Sequence, residues 1–252
     1  MSEHFHVLIP ARLGSTRLPD KPLADLGGRP MVVRVLERAL SAGAASVHVA
    51  TDSQRVAQAV LAASGQVIMT RSDHASGTDR LVEAVESLGF DSDDVIVNLQ
   101  GDEPLMPASA IRRVVEVLTS DPAANMATLY EPVISKAQWQ DPNVVKLVLD
   151  AKSRALYFSR APIPWPRGSA YQSGDALRHV GLYAYRVSAL RNWPELPPSQ
   201  LERLESLEQL RALSAGWTVA CGAAPDPIPA GIDTADDLER IKKIYLQAMG
   251  ER

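Results

Sequence analysis

The sequence predicts an α/β fold in which a mostly parallel central sheet carries helices on both faces, with a smaller mixed-sheet lobe. In the first half of the chain, short apolar segments alternate with amphipathic segments, which is typical of parallel strands joined by helices. In the second half, two apolar segments flank the turn-forming residues Asp150–Ser153, which indicates a hairpin. The Pro-rich stretches are too short to be linkers, so we expect one domain over residues 1–252, with the lobe inserted at about 130–216.

Element boundaries follow from apolar periodicity and from the residues that begin or end helices. Pro30 is a favourable first helical residue and Gly43 is a favourable terminator, with an apolar stripe between them. The predicted strands are Val7–Ile9, Ser46–Thr51, Gln66–Thr70, Val95–Leu99, Val144–Leu149, Arg154–Phe158, His179–Arg186 and Trp217–Cys221. The predicted helices are Pro30–Gly43, Ser53–Ala63, Leu81–Leu88, Ala108–Thr119, Leu201–Ser214 and Thr234–Met249.

Composition excludes several classes of protein. The chain has 252 residues, 46% of them hydrophobic, and a formal net charge of -4, which are values of an ordinary globular protein. The acidic balance argues against a nucleic-acid partner, and no apolar run approaches the ~20 residues that span a membrane. The single cysteine, Cys221, excludes an internal disulfide, and the 5 histidines are too dispersed in sequence to suggest zinc. We therefore expect a cytoplasmic protein.

A basic, glycine-containing loop, Ile9–Leu23, includes and follows the end of the first predicted strand. Ligands of open α/β sheets usually bind outside the carboxyl ends of the strands. Gly14 lets the backbone approach a polyphosphate, and Arg12, Arg17 and Lys21 would neutralise its charge. The alternative is a solvated loop with scattered cations, and the sequence contains neither a P-loop motif nor G-x-G-x-x-G.

Two acidic residues are candidates for a magnesium site. Asp102 follows a predicted strand, and Gly101 permits a sharp turn there. Asp233 precedes Thr234, the expected N-cap of the last helix. Mg²⁺ prefers a few hard oxygens together with substrate phosphates, so one ion suits both carboxylates. The alternatives are an ordinary turn and a helix-dipole residue, and sequence spacing does not show that the two side chains meet.

Other polar segments are candidates for contacts to a base and to a sugar acid. Arg71–Arg80 combines small hydroxyls with one glycine, which suits the polar edge of a base, and helix capping is the alternative. Tyr157–Trp165 and Arg178–Arg186 place hydroxyls, cations and an imidazole beside apolar strands, which is the mixture that an acidic sugar needs. In the helix predicted at Leu201–Ser214, the leucine stripe is expected to be core or dimer contact. The residues expected on its mostly solvated face are Glu205, Glu208 and Gln209.

The chain closely resembles the 3-deoxy-manno-octulosonate cytidylyltransferases (CMP-Kdo synthetases) nearly from end to end. The loop Ser15–Leu23 is shared loosely by sugar nucleotidyltransferases, but together with Asn98–Pro104 and Tyr157–Trp165 it is highly specific. Small departures occur at Asp20, where the family often has Gly, and at Ala75, where Gln is common. The resemblance implies a Rossmann-like nucleotidyltransferase fold and a homodimer formed through the second lobe.

The resemblance also implies a reaction, in which CTP and 3-deoxy-D-manno-octulosonate (Kdo) give CMP-Kdo and pyrophosphate for lipopolysaccharide biosynthesis. It implies that Asp102 and Asp233 hold Mg²⁺ and that Arg12 and Lys21 bind the triphosphate. The implied contacts to the nucleotide are Ala11, Ser15, Ser76, Gly77, Thr78, Arg80 and Gln100. The implied contacts to Kdo are Arg160, His179, Tyr183 and Gln209. Two alternatives stay open: another sugar acid, such as 8-amino Kdo or sialic acid, or a catalytically silent nucleotide-binding protein.

Overall fold

The computed structural model describes residues 4–14, 18–168 and 170–250. In these ranges the strands are β1 (Phe5–Ala11), β2 (Ser46–Thr51), β3 (Gln66–Met69), β4 (Val95–Asn98), β5 (Met126–Pro132), β6 (Lys146–Leu149), β7 (Ala155–Ser159), β8 (Leu177–Arg186) and β9 (Val219–Ala223). The α-helices are α1 (Met31–Ser41), α2 (Gln54–Ala62), α3 (Gly77–Leu88), α4 (Ala108–Ser120), α5 (Lys136–Gln140), α6 (Val187–Asn192), α7 (Gln200–Glu205), α8 (Gln209–Ser214) and α9 (Ala235–Gly250). Short 3₁₀ helices lie at Lys21–Leu23 and Trp193–Glu195.

The strands form one mixed sheet in the order β3-β2-β1-β4-β8-β5-β9, and the β6–β7 hairpin joins it through β8. β1 pairs in parallel with β2 and β4, and β5 with β9, whereas β8 runs antiparallel to β4 and β5. The predicted α/β fold with a mostly parallel central sheet is confirmed. The chain moves from β1 to β2 and β3 on one side and then to β4 on the other, so the carboxyl ends of β1 and β4 are a topological switch point.

Helices cover both faces of this sheet. In β1, Val7 and Ile9 belong to the core that includes α1 and α4, while Leu8 belongs to the core on the opposite face, with α3 and α6. This alternation follows from the two-residue period of a strand. β1 therefore packs against helices on both faces of the sheet. Among the helices of the described residues, we find none with the length and apolar character that crossing a membrane requires.

Most of the predicted boundaries in the first half of the chain are confirmed to within a few residues. β2 spans the predicted Ser46–Thr51, for example. α3 begins at Gly77 rather than at the predicted Leu81, because a reciprocal pair of hydrogen bonds caps its first turn. The Ser76 hydroxyl accepts from the backbone N–H of Asp79, and the Asp79 carboxylate accepts from that of Ser76.

The prediction of one continuous helix over Leu201–Ser214 is wrong. α7 ends at Glu205 and α8 begins at Gln209, because Ser206 between them takes a left-handed conformation with a φ of 51°. The carbonyl oxygens of Glu205 and Ser206 accept hydrogen bonds from the side chain of Arg160, in place of the N–H donors that a continuing helix would provide.

One strand, β5, and two α-helices, α5 and α6, were not predicted, and neither were the two 3₁₀ helices. The first four residues of β5, 126–129, are all buried, so this strand lacks the alternation that marks a half-exposed strand. β8, which lies in the predicted lobe at about 130–216, runs through the centre of the main sheet between β4 and β5. That segment thus builds part of the central sheet as well as the β6–β7 hairpin, and the division into a main domain and a lobe stays a prediction.

Candidate active site

A cavity of about 350 Å³ lies at the switch point between the carboxyl ends of β1 and β4. Its polar lining residues are Arg12, Lys21, Ser76, Arg80, Gln100, Asp102 and Asp233. Its other lining residues are Pro10, Ala11, Gly14, Pro22, Gly77 and Gly101. The folded chain therefore brings together most of the residues predicted for the triphosphate, the metal and the base. Thr78 is not among them, and Ser15 lies outside the described residues.

Among the described residues, the loop after β1 presents Arg12 and Lys21 to this cavity, and the third predicted cation, Arg17, lies outside those residues. Arg12 is exposed, whereas only 12% of the Lys21 side chain is accessible to solvent. Lys21 begins a 3₁₀ helix in which Pro22 supplies a fixed φ and Leu23 N–H donates to the Asp20 carbonyl at 2.8 Å. The backbone of Lys21 is thus held in place while its side chain reaches into the cavity.

The two carboxylates predicted to bind Mg²⁺ meet in the folded chain. The backbone N–H of Ile232 donates to the Asp102 carbonyl at 3.0 Å, which joins the loop before α9 to the turn after β4. A Cβ at Gly231 would lie 3.2 Å from the same carbonyl oxygen, so a glycine favours this contact. Lys21 Nζ lies 2.7 Å from Asp102 Oδ2 and 3.5 Å from Asp233 Oδ1. Both carboxylates therefore face one point in the cavity.

This set of donors fits Mg²⁺. Carboxylate oxygens are ligands that Mg²⁺ prefers, and two of them leave coordination positions for phosphate oxygens and water. Asp102 and Asp233 converge on the ammonium group of Lys21. In the free chain, a positive charge therefore already lies at the point that both carboxylates face. The assignment of Mg²⁺ to these two residues stays a prediction.

Gly101 is needed where the turn after β4 passes β1. A Cβ at this position would lie 2.8 Å from the carbonyl oxygen of Pro10, which is closer than a side-chain carbon tolerates. The sequence analysis attributed this glycine to a sharp turn, and the structure adds the close approach of a neighbouring backbone. The contact sets the position of Asp102 relative to the loop after β1.

A buried carboxyl group lies beside the two facing carboxylates. Glu103 Oε2 is buried and has no hydrogen-bond partner in the part of the chain that the structure describes. Burial raises the pKa of Glu103 from an ordinary 4.5 to about 8. The negative charges of Asp102 and Asp233 add to this increase, and the positive charge of Arg178 opposes it. Glu103 is therefore protonated and uncharged at neutral pH.

We expect the stability of the protein in EDTA to fall as the pH rises from about 5 to about 8. In this interval the folded chain keeps a proton on Glu103 that the unfolded chain has released, so each pH unit lowers the free energy of unfolding by up to about 1.4 kcal/mol. Denaturant unfolding at a series of pH values measures this slope. The Glu103→Gln variant should lose this part of the slope, and an unchanged slope in the variant would contradict the assignment.

The first turn of α3 forms one wall of the cavity through Ser76 and Gly77. Arg80, one turn further along the helix, is almost fully buried. Its guanidinium donates to Asp52 Oδ2 at 3.2 Å and also to the hydroxyl of Thr70. The positive end of the helix dipole and the adjacent guanidinium make this wall suitable for electronegative atoms of a base or a phosphate.

Thr78, one of the residues predicted to contact the nucleotide, is buried behind this wall. Its hydroxyl donates to Glu208 Oε2 at 2.8 Å, and it also hydrogen-bonds with Tyr185. Glu208 hydrogen-bonds with Ser76 as well, and its Oε1 is buried without a partner among the described residues. Burial raises the pKa of Glu208. The expectation that Glu208 is solvated is therefore wrong, because Glu208, which directly precedes α8, supports the first turn of α3.

The residues predicted to contact Kdo are not among those that line the cavity: Arg160 directly follows β7, His179 and Tyr183 lie on β8, and Gln209 begins α8. The rings of His179 and Tyr183 are 5.3 Å apart, and His179 Nε2 lies 3.0 Å from the hydroxyl of Thr128. Burial lowers the pKa of His179 to about 3, so its imidazole is neutral. Burial raises the pKa of the Tyr183 phenol. Gln209 is buried at the start of α8, which contradicts the expectation of a solvated side chain.

The side chain of Arg160 is held by backbone carbonyl groups. Its Nε donates to Glu205 O at 2.6 Å, and its terminal nitrogens donate to Pro142 O at 2.9 Å and Ser206 O at 3.4 Å. The Glu205 carboxylate accepts from the Ser159 hydroxyl at 2.6 Å and from the backbone N–H of Arg160 at 2.9 Å. Burial acts to raise the pKa of Glu205, but these hydrogen bonds keep it below its ordinary value. Glu205 is thus a structural partner rather than the solvated residue expected.

Several known proteins are similar to this chain in sequence or in structure. A family model described as Cytidylyltransferase matches residues 6–221. The 3-deoxy-manno-octulosonate cytidylyltransferases of Yersinia enterocolitica serotype O:8 and Yersinia pestis bv. Antiqua (strain Angola) are each 52% identical to this chain over 247 residues, covering 96% of it and 98% of theirs. A solved CMP:2-keto-3-deoxy-manno-octonic acid synthetase complexed with CTP is 46% identical, with a TM-score of 0.88, and covers 98% of this chain and 100% of its own.

A more distant structure shares the fold alone. It is a nucleotidyl transferase from Methanothermobacter thermautotroptrophicus, 16% identical with a TM-score of 0.64, covering 97% of this chain and 99% of its own. The region matched by the family model contains β1 to β8 and so includes the loops after β1 and β4 and the first turn of α3. The chain therefore belongs to the cytidylyltransferase family and, within it, to the 3-deoxy-manno-octulosonate cytidylyltransferases.

Proposed function

We propose that this chain transfers CMP from CTP to the anomeric hydroxyl of Kdo, releasing pyrophosphate and forming CMP-Kdo for lipopolysaccharide biosynthesis. The observation that carries this proposal is the meeting of Lys21, Asp102 and Asp233 in the cavity at the switch point. A cation and two carboxylates close to a helix N-terminus suit a metal-assisted reaction at a phosphate group. The named activity of the relatives indicates which nucleotide and which sugar take part.

The triphosphate would bind along the loop after β1. Arg12 is exposed at the cavity wall, where its planar guanidinium suits two phosphate oxygens at once. Lys21 Nζ donates to Asp102 in the free chain, and the same ammonium group suits a phosphate oxygen entering the cavity. Asp102 and Asp233 would hold Mg²⁺. When bound, Mg²⁺ would neutralise charge that develops at the α-phosphate and lower the pKa of the attacking hydroxyl.

The transfer is an in-line displacement at the α-phosphorus of CTP. The anomeric oxygen of Kdo forms a bond to phosphorus, the bond from phosphorus to the leaving pyrophosphate oxygen breaks, and the hydroxyl proton passes to solvent. Two buried acid–base groups, Glu103 and His179, are unsuited to be the general base. Glu103 keeps its proton at neutral pH in the metal-free chain, and a His179 pKa of about 3 makes this imidazole a weak base. Positioning and charge stabilisation therefore provide most of the catalysis.

The sugar acid would bind on the side of the cavity towards β7, β8 and α8. Its carboxylate needs a cation and its hydroxyls need donors and acceptors, which Arg160, His179, Tyr183 and Gln209 supply. Glu208 joins this side to the nucleotide wall, because it precedes Gln209 and hydrogen-bonds with Thr78. The two proposed substrate sites therefore share one support.

A turnover assay tests the proposal directly. Purified protein is mixed with CTP, Kdo and Mg²⁺, and pyrophosphate release is followed continuously, with 8-amino Kdo and sialic acid as alternative acceptors. We expect release with Kdo at a kcat/KM at least about tenfold above that with either alternative. Preference for another sugar acid would contradict the proposed acceptor, and binding of CTP without release from any acceptor would indicate a silent nucleotide-binding protein.

The Arg12→Ala variant should bind CTP more weakly and leave Kdo binding nearly unchanged. Loss of a charge-assisted contact to phosphate costs about 1.5–3 kcal/mol, so the KM for CTP should rise at least about tenfold. Steady-state kinetics with each substrate varied in turn measure both values. The Arg113→Ala variant, which removes a half-exposed arginine on α4, serves as the control. An equal effect of Arg12→Ala on both substrates would contradict the triphosphate role.

We also infer that the chain forms a homodimer. α7 contains no buried residue, and Leu204 on it is 73% exposed. Leu201 on the same helix is also 40% exposed. Two exposed leucines on one short helix without a buried residue indicate a protein contact, whereas a single exposed leucine does not. The Leu204→Asp variant should show half the mass of the wild type by light scattering, and Leu61→Asp, at a leucine on α2 that is 60% exposed, should not. Equal masses for Leu204→Asp and the wild type would exclude α7 from the interface.

We expect the reaction to take place in the cytoplasm. Burial raises the pKa of the Cys221 thiol to about 12, so this thiol is protonated at neutral pH. A protonated, buried thiol is a poor nucleophile. A single free cysteine of this kind is typical of a reducing compartment such as the cytoplasm.

A further inference from the structure

Three side chains that can bind a metal meet at the end of the sheet opposite the cavity. His4 directly precedes β1, His6 lies within it, and Asp94 directly precedes β4. One ligand atom from each of the three lies within 4.8 Å of the other two. β1 runs from this cluster to Ala11 at the cavity, a distance of about 20 Å at the rise of a β-strand. The cluster is therefore separate from Asp102 and Asp233.

The imidazole of His6 is already oriented for metal binding. Its Nδ1 hydrogen-bonds with the Ser46 hydroxyl at 2.8 Å, and its Nε2 lies 4.0 Å from Asp94 Oδ2. A hydrogen bond at one ring nitrogen is the usual way in which a protein aims the other nitrogen at a metal. Phe90 packs against the same imidazole, with 4.2 Å between ring centroids, and limits its rotation.

The other two side chains differ in how firmly they are held. Asp94 lies in a tight turn, in which its Oδ2 accepts from Asp91 N–H at 2.8 Å and its own N–H donates to Asp91 O at 3.1 Å. Val187 N–H donates to the Asp94 carbonyl at 3.0 Å and ties this turn to α6. His4 is exposed, with its ring 5.0 Å from that of His6. Two ligands are thus preorganised, and the third can approach from solvent.

We propose that His4, His6 and Asp94 bind one divalent transition-metal ion, for which Zn²⁺ is the best match. Two imidazoles and one carboxylate form a ligand set that Zn²⁺ accepts, with a further position for water, whereas Mg²⁺ prefers oxygen ligands alone. The ion would join the start of β1 to the turn before β4. Its effect would be on the stability of this edge of the sheet, since the proposed substrate site lies at the opposite end of the strands.

Calorimetric titration with Zn²⁺ alone tests this site on the full chain. The protein is first dialysed against EDTA, and no CTP or sugar is present, so the result does not depend on the proposed function. We expect about one equivalent of Zn²⁺ to bind and the Tm to rise in its presence. The His4→Ala and Asp94→Asn variants should each bind Zn²⁺ at least about tenfold more weakly and lose the rise in Tm.

Matched variants separate this site from other Zn²⁺ ligands. His74→Ala removes an imidazole elsewhere, and Asp102→Asn removes a carboxylate of the proposed magnesium site; both should keep the wild-type affinity for Zn²⁺. His4 is exposed, so its replacement should leave the fold intact, which circular dichroism checks. The proposal is overturned if His4→Ala binds Zn²⁺ as the wild type does, or if Asp102→Asn abolishes binding.

Discussion

Replacing Asp102 with asparagine should lower kcat at least about 100-fold while leaving the fold intact. The substitution keeps the size of the side chain but removes one of the two negative charges that converge on Lys21. A Mg²⁺ site with one carboxylate holds the ion more weakly and stabilises less charge at the α-phosphate. Pyrophosphate release at limiting Mg²⁺ measures the effect, and raising the Mg²⁺ concentration should restore part of the activity.

The control for this prediction is Asp236→Asn, at an exposed carboxylate in the first turn of α9. It lies close to Asp233 in the sequence but does not line the cavity, so its kcat should stay within about twofold of the wild type. A folded Asp102→Asn protein with near-normal turnover at limiting Mg²⁺ would refute the assignment of this residue to the metal. A similar loss in both variants would indicate a nonspecific effect of charge.

Replacing Lys146 with methionine should lower the free energy of unfolding by about 3 kcal/mol. Lys146 is fully buried, and its ammonium group donates to three backbone carbonyls: Asp141 O at 2.8 Å, Arg160 O at 2.8 Å and Val144 O. Methionine is also unbranched, with one heavy atom fewer, and it leaves all three oxygens without this donor. The cost of buried, unpaired acceptors therefore exceeds what the apolar side chain gains.

Denaturant unfolding measures this loss, and Lys136→Met is its control. Lys136 is exposed at the start of α5, so its replacement should change stability by no more than about 0.5 kcal/mol. Lys146 also holds the carbonyl of Arg160, which is proposed to contact Kdo. In a folded Lys146→Met protein, the KM for Kdo should therefore rise above its wild-type value by a larger factor than the KM for CTP. A loss of stability below about 1 kcal/mol would show that the three carbonyls find other donors.

The parallel half of the fold was predictable because its signals are local. β1 to β4 are short apolar segments, and the helices between them carry their own start and stop residues, such as Pro30 before α1 and Ser53 before α2. The loop after β1 was predictable as a ligand site for a general reason, since parallel strands place their carboxyl ends at one edge. These inferences needed no knowledge of contacts between distant segments.

Predictions were wrong where a distant contact changed a local pattern. The leucine spacing over Leu201–Leu210 favours one helix. The side chain of Arg160, however, donates hydrogen bonds to the carbonyl oxygens of Glu205 and Ser206, and the helix ends there. Glu208 has the sequence context of a solvated residue, yet the chain places it against Thr78. The sequence offered no sign of either contact, because the partners come from segments far away along the chain.

By itself, the sequence determined the α/β class, the family and the chemical types of side chain at the ends of β1 and β4. Only the tertiary structure decided that Asp102 and Asp233 face the same ammonium group, that Glu103 is buried beside them, and that His4 and His6 share a corner with Asp94. The reason is physical. Periodicity and capping act over a few residues, whereas the distance between two loops depends on strand order, and a pKa depends on how much water the fold removes.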